Sequence, residues 1–184
     1  MSFRITHLDG AELLEAIHPG FFEQDFIRAL PEDAVWEEMA LDLRDFSPET
    51  LAIPVPEGIR FGFYEGGLDA LRVLVGRVSV DWPRFFDAKS RVYCGFDGDS
   101  VVSFCLVDDM GRIGRLRVGG PGCVGTLPEY RRQGIGLKMV QNVTAILKDE
   151  GYDLSYIHFT GVGRWYEKLG YRTTLRWSRD GVVD

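Results

Sequence analysis

The chain of 184 residues has only three cysteines and three histidines. Cys94, Cys105 and Cys123 are odd in number and lie in strand-like runs, which argues against a disulfide framework and for packed, reduced thiols. His7, His18 and His158 are scattered, no Cys/His/carboxylate spacing matches a metal site, and no metal is expected. No apolar run approaches the roughly 18 residues of a membrane span, so no membrane partner is expected. The opening Met-Ser-Phe-Arg-Ile-Thr-His lacks the apolar core of a signal peptide, and a cytoplasmic location is expected. Internal repeats and low-complexity segments are absent. Two nucleotide-binding motifs are missing as well. There is no Gly-Lys-Ser/Thr of a P-loop, and a dinucleotide fingerprint would need a third small residue where Met139 stands.

What is present is an ordinary apolar content of 45%, enough to bury one core, with room for an appendage. The net charge of −7 hides an asymmetry. Residues 1–57 hold 13 acidic and 3 basic side chains, and the remainder is net positive. Between Gly111 and Lys138 six basic residues (Arg112, Arg115, Arg117, Arg131, Arg132, Lys138) face one acid, Glu129. A nucleic-acid partner would call for a larger basic surface, and the acidic total repels a polyanion. A small phosphorylated ligand fits better.

Taken in order, Asp9 and Glu12 form a capping box ahead of Leu13, Leu14 and Ile17, and Pro19-Gly20 closes that helix. Phe22, Phe26, Ile27 and Leu30 share a helical face, and Val35, Met39 and Leu43 continue at a spacing of four in a third helix after Pro31. Phe3–Leu8 is an alternative strand. The proline-rich Ile53–Gly58 reads as an extended linker, so a boundary is placed near Glu57, between an acidic, mostly helical extension (1–57) and a second domain (58–184). There, Ile59, Phe61 and Phe63 alternate as in a strand, and Leu68, Leu71, Leu74, Val75 and Val78 line a helix. Arg91–Phe96 and Ser100–Val107 form a hairpin about Asp97-Gly98-Asp99. Asp108–Gly111 turns the chain into a bulged strand over Ile113–Thr126. A helix with Ile135, Met139, Val140, Val143, Ile146 and Leu147 on one face ends near Gly151. Strand Leu154–Phe159, helix Gly163–Leu169 and strand Tyr171–Trp177 complete an α/β fold with a mixed sheet.

The stretch from Cys123 to Lys138 concentrates the chemistry. Leu127-Pro128 stops a strand, a basic turn follows, and Gly134 and Gly136 open the long helix. The first N–H groups of such a helix lack partners and the macrodipole adds positive charge, so anionic oxygens bind there without special side chains. Glycine lets the backbone approach the ligand.

The spacing Arg131-x-x-Gly134-x-Gly136, preceded by Pro-x-Tyr-Arg, resembles the acyl-CoA signature of the GNAT superfamily of N-acyltransferases. A second segment, Trp165-Tyr166-Glu167-Lys168-Leu169-Gly170-Tyr171, resembles the Tyr-Glu-x-Leu-Gly-Phe/Tyr segment of that family, and the resemblance covers about Ile59–Asp184. It implies a mixed, mostly antiparallel sheet flanked by helices, acetyl-CoA as co-substrate, and direct attack by a primary amine of a small molecule or peptide. It implies that Arg132, Gln133, Gly134, Ile135, Gly136 and Leu137 hold the pyrophosphate. Arg131 heads the signature, with carbonyl capping as its alternative role. Val124, Gly125 and Thr126 would pair with pantetheine, whose amides can add to a strand edge as a peptide does; Gly119, Gly120 and Gly122 favour a break in the sheet there. Tyr166 takes the role of general acid toward the thiolate, against ring packing beneath the sheet. Many members carry asparagine where Phe159 stands, and Thr160 is the nearest polar residue. Asp109, Glu65 and His158 are the candidates for general base, with half-buried packing favoured for His158. Cys123 as a covalent nucleophile is weighed against a small strand residue, which is favoured because no histidine lies near it in sequence. The alternative function is a CoA-binding sensor or scaffold without turnover, and a homodimer is the assembly to test.

Overall fold

Asp9 Oδ1 accepts from the Ala11 and Glu12 N–H groups at 2.9 and 3.1 Å and so caps helix α1 (Gly10–Ile17). The computed structural model describes residues 9–183; the strand expected at Phe3–Leu8 falls outside the described residues. Leu13 and Leu14 are the buried side of α1, and Pro19 with Gly20 at φ 68° turns the chain away as expected. The stripe from Phe22 to Leu30 then folds as a 3₁₀ turn, Phe21–Glu23, and a one-turn helix, α2 (Asp25–Arg28).

The helix expected through Val35, Met39 and Leu43 is a strand instead, β1 (Trp36–Asp42). A spacing of four places residues on one face of a strand as well as of a helix, so the pattern could not separate them. Met39, Ala40 and Leu41 are all buried, and β1 has antiparallel partners on both sides. β2 (Ile59–Phe63) and α3 (Leu68–Gly76) follow, then a 3₁₀ turn at Trp82–Phe85. β3 (Val92–Asp97) and β4 (Ser100–Ile113) pair antiparallel through a two-residue turn with Gly98 at φ 57°. The turn expected at Asp108–Gly111 does not form. β4 runs on to Ile113, and the chain reverses at Gly114, φ 59°, into β5 (Leu116–Thr126). Met110, Ile113 and Leu116 pack around Val118, Leu154 and Tyr156, and this apolar cover outweighs the turn-like composition of Asp-Asp-Met-Gly. A 3₁₀ turn (Pro128–Tyr130), α4 (Ile135–Asp149), β6 (Leu154–Thr160), α5 (Gly163–Glu167), β7 (Arg172–Ser178) and β8 (Gly181–Val183) complete the fold.

The strand order is β2-β3-β4-β5-β6-β1-β7-β8, mostly antiparallel, with β5 and β6 parallel. Among the described residues no helix is long and apolar enough to cross a membrane. The chain divides into two compact units. One comprises the residues up to Phe46, Met110–Gly119 and those from Gly151 onward; its cores gather Leu13, Ala40, Val118 and Tyr156, and Leu14, Phe21, Ile27 and Trp177. The other, Ser47–Asp109 and Gly120–Glu150, is centred on Leu71, Val75, Phe86, Cys94, Phe104 and Leu106.

Candidate active site

The strand-to-helix turn lies wholly within the second unit and is held by its own side chains. Tyr130 Oη donates to Asp97 Oδ2 at 2.8 Å, Gln133 Nε2 to the Glu129 carbonyl at 3.2 Å, and Arg77 pairs with Glu129 at 2.7 Å. Arg131 Nε donates to the Thr126 carbonyl at 3.0 Å, so the carbonyl-capping alternative describes what this guanidinium does. Arg132 adopts φ 62°, and Gly134 caps α4 at φ 81° with no side-chain acceptor for the first N–H groups. The first closed turn is Lys138 N–H to Gly134 O at 2.9 Å, leaving the N–H groups of Ile135, Gly136 and Leu137 without helical partners. That is the geometry an anion needs.

Gly134 has a further reason to be glycine. A Cβ there would fall on the Pro54 carbonyl oxygen, because the Ile53–Pro54 backbone crosses the start of α4. The proline-rich segment is bonded to this helix: buried Gln141 donates through Nε2 to the Pro48 and Leu51 carbonyls at 3.0 and 2.8 Å. Of the six basic residues near the turn, Arg131, Arg132 and Lys138 share its unit, whereas Arg112, Arg115 and Arg117 belong to the other. There Arg117 stacks on Tyr152 at 3.7 Å and donates to its hydroxyl.

The register of β5 with β6 consists of Val118 with Leu154 and Gly119 with Ser155; Gly120–Thr126 lies outside it. Cys123 takes φ 46°, and Gly122 and Gly125, three apart, both abut β4, where a regular strand would give a spacing of two or four. The bulge expected in this strand is therefore present. Ser103 Oγ donates to the Gly125 carbonyl at 2.8 Å, and a Cβ at Gly125 would collide with the Phe104 ring. Burial, and behind it Asp108, pushes the Cys123 thiol up to about 12, so the nucleophilic thiolate does not form at neutral pH. The small-strand-residue reading fits this position. All three cysteines are free.

Asp108, read from the sequence as a turn residue, is the titratable group beside the bulge. It is half-buried on β4, a Cβ at Gly122 would meet its Oδ2, and burial pushes its carboxyl up to about 6. The signal that would have found it is the alternation Phe104-x-Leu106-x-Asp108, which carries a carboxylate onto the core side of a strand. Among the named base candidates, Asp109 and Glu65 are exposed. His158 is packed: its Nδ1 lies 2.9 Å from Glu38 Oε2 and its ring 4.0 Å from His18. Glu38 is fully buried and also accepts from Trp177 Nε1 at 2.9 Å and Phe159 N–H at 3.2 Å. Phe159, at φ 55°, packs on Trp36 and Trp177, while Thr160 Oγ1 accepts from the Val162 N–H. No group of three or more metal-ligating side chains occurs among the described residues.

Tyr166 stands on α5 in the first unit. It is 6% exposed, edge-on to Trp165 at 4.8 Å and to Tyr171 at 6.0 Å. The nine residues Val124–Thr126 and Arg132–Leu137 thus share one unit and one continuous stretch, and Tyr166 belongs to the other.

Residues 88–173 match the family model of the GNAT acetyltransferase domain. Among solved structures the chain is similar to a glucosamine N-acetyltransferase region of a fungal multi-domain GH3 β-N-acetylglucosaminidase (TM-score 0.62, 20% identity, 78% of this chain and 20% of that one). It is also similar to GCN5-related N-acetyltransferases from Kribbella flavida (TM-score 0.54, 19%, 78% and 56%) and Sphaerobacter thermophilus (TM-score 0.56, 22%, 77% and 49%). The chain spans from a fifth to a little over half the length of these proteins. No curated protein sequence matches it. The acyl-CoA signature and the mostly antiparallel sheet order accord with the match of residues 88–173 to the GNAT acetyltransferase domain.

Proposed function

We propose that the chain transfers an acetyl group from acetyl-CoA to a primary amine by direct attack. The observation that carries this reading is the uncapped start of α4 following a β5 whose last residues, Gly120–Thr126, stand outside the parallel ladder. The N–H groups at Gln133–Leu137 and the Arg132 side chain hold the pyrophosphate, Arg131 keeps the turn closed, and pantetheine adds to the backbone of Val124–Thr126. The amine forms its bond to the thioester carbonyl carbon, backbone N–H groups near the bulge stabilise the oxyanion, and the leaving thiolate takes a proton from Tyr166. We place acceptor selection with the N-terminal segment, where Phe22 and Phe26 stay 37% and 41% exposed beside the aromatic cluster.

A thermal-shift titration tests the cofactor. A ligand that binds only the folded state adds about 2.7 kcal/mol at 100 times its dissociation constant, and acetyl-CoA should do so where adenosine does not. Gln133→Glu, an exposed change that suits the helix dipole but opposes a pyrophosphate, should weaken acetyl-CoA roughly tenfold or more. An unchanged melting temperature with millimolar acetyl-CoA removes the reading. Release of CoA with a panel of amines, glucosamine among them, then tests transfer. The burial of Tyr166 favours a second reading, a domain that holds CoA without turnover; binding without CoA release on any amine would support it.

A further inference from the structure

We propose that Glu37, on the N-terminal strand β1, is a positioning residue for Tyr166: its carboxylate holds the start of α5 in place. In the acetyltransferase reading above, on which this role rests, the Tyr166 hydroxyl gives its proton to the leaving thiolate. β1 lies outside the stretch 88–173 that matches the acetyltransferase domain, yet it stands between β6 and β7, the two strands that α5 joins. Glu37 is paired with Thr160 on β6 and with Arg176 on β7.

The connection from β6 to α5 is short, Gly161-Val162, and β1 meets the glycines on both sides of Val162. A Cβ at Gly161 would come within 3.3 Å of the Trp36 ring, and one at Gly163, the first residue of α5, would fall on Glu37 Oε2. Gly163 is buried and has no positive φ, so no backbone conformation requires glycine there; the carboxylate occupies the space. From the other side β7 fixes that carboxylate, whose Oε1 accepts from Thr173 Oγ1 at 3.2 Å and lies 3.9 Å from Arg176 Nε. The Arg176 side chain is 52% exposed, so solvent screens this ion pair and it contributes little. What Glu37 supplies is a side chain of the right length, set between Thr173 and Gly163. No side chain caps α5, and the other tie at its start is Thr160 Oγ1, which accepts from the Val162 N–H at 3.2 Å.

Tyr166 follows Gly163 by one turn, and a five-residue helix is too short to keep its own geometry without outside contacts. Trp165 and Tyr171 set the phenol ring edge-on, and the Tyr171 hydroxyl is itself held 2.7 Å from Ser155 Oγ. Those contacts orient the ring, while Glu37 fixes the turn that carries it. Proton transfer needs the phenol oxygen within hydrogen-bond reach of the sulfur, and a misplacement of about 1 Å can cost on the order of 10²-fold in rate.

CoA release by the full chain, with an accepted amine or, without one, with water as the slow acceptor, tests the role. Glu37→Ala should leave the acetyl-CoA thermal shift unchanged, because the pyrophosphate turn belongs to the other unit, and lower turnover about tenfold, within the roughly 10²-fold that the acid supplies. Glu37→Gln keeps the length and an acceptor oxygen and should recover most of that loss. Gly163→Ala should push the carboxylate off Thr173 and cost about as much as Glu37→Ala, with the two changes together costing no more than either alone. The deciding comparison places Glu37→Ala on Tyr166→Phe. A residue that acts through the phenol lowers turnover no further there, whereas a general loosening lowers it by the same factor in both backgrounds. Where Glu37→Ala fails to fold, Gly163→Ala carries the same comparison. A tenfold loss repeated on Tyr166→Phe, or turnover of Glu37→Ala within twofold of the parent, overturns the positioning role alone. Turnover unaltered by Tyr166→Phe removes the acid and this role with it. A parent chain that fails to bind acetyl-CoA, or binds it and releases no CoA, overturns the acetyltransferase reading itself.

Discussion

Gly134 and Gly151 bracket α4 and form a matched pair for measuring what the close approach of the Ile53–Pro54 segment costs. Both hold positive φ, 81° and 79°. A Cβ at Gly151 meets nothing within 4 Å, whereas one at Gly134 falls on the Pro54 carbonyl oxygen and comes 3.4 Å from Ile53 Cγ2. Alanine at either position carries the left-handed penalty, roughly 1–2 kcal/mol. Gly134→Ala adds overpacking, typically ~1–3 kcal/mol, and because the obstructing atom is backbone no rotamer change relieves it. Urea denaturation should therefore show a loss of about 1–2 kcal/mol for Gly151→Ala and about 2–5 kcal/mol for Gly134→Ala, with equal m-values. Acetyl-CoA affinity should follow the same order, since only Gly134→Ala displaces the helix start. Equal losses of stability in the two variants would refute the placement of Pro54 over the first turn. They would also return the requirement for glycine to backbone conformation alone.

Three further substitutions test the roles of single side chains. Tyr166→Phe keeps the packing on Trp165 and Tyr171; as the acid, its loss should lower turnover on the order of 10²-fold with acetyl-CoA binding unchanged, whereas a packing residue would cost about 1 kcal/mol of stability and leave the rate alone. Burial, then His158, lowers His18 from 6.5 to about 4, against the raising effect of Glu38. Between those values the unfolded chain binds a proton that the folded chain does not, so stability falls as pH drops from 6.5 toward 4, by less than the full shift implies because solvent screens the partly exposed ring. His18→Gln should flatten that slope in melting curves, and a slope identical to the parent's would refute it. Asp108 acts in the opposite sense: its raised value means stability is lost as pH rises from 3.8 to about 6, so Asp108→Asn should steepen the acid slope that His18→Gln removes.

The elements that were legible in the sequence are those whose local pattern and tertiary surroundings agree. α4 is one: Ile135, Met139, Val140, Val143 and Leu147 recur at helical spacing and all are buried. The hairpin at Gly98 is another, since its turn residue has a single conformational use. Trp36–Asp42 misled because Glu38, Met39, Ala40 and Leu41 are buried in succession, on both faces of the strand, so alternation disappears and the spacing of four that remains suits either element. Its acidic pair, Glu37 and Glu38, carries no local signal of burial. Glu38 is in fact fully buried, and three donors from distant parts of the chain satisfy it, which no local window could show.

The strand-to-helix turn proposed for the pyrophosphate was readable because its glycines and basic residues lie in one continuous run. The backbone irregularities beside it were not. Among the described residues only Cys123, Arg132 and Phe159 hold positive φ without being glycine. Arg132 lies in the run that the GNAT resemblance assigns to the pyrophosphate, Cys123 directly precedes the run assigned to the cofactor arm, and Phe159 stands where many members carry asparagine. Cysteine, arginine and phenylalanine have no preference for that conformation, and each such residue costs of order 1–3 kcal/mol, so it persists only where surrounding contacts over-determine it. Those contacts are visible for Phe159, whose N–H is taken by Glu38 and whose ring is set between Trp36 and Trp177. At Cys123 the corresponding constraint is the pair of glycines on either side of the bulge, which let the strand close on Asp108 and Phe104. Enlarging Gly122 or Gly125 while the bulge stays in place thus forces β4 and β5 apart at the point where Asp108 stands. A chain that keeps this bulge must therefore keep those two positions small.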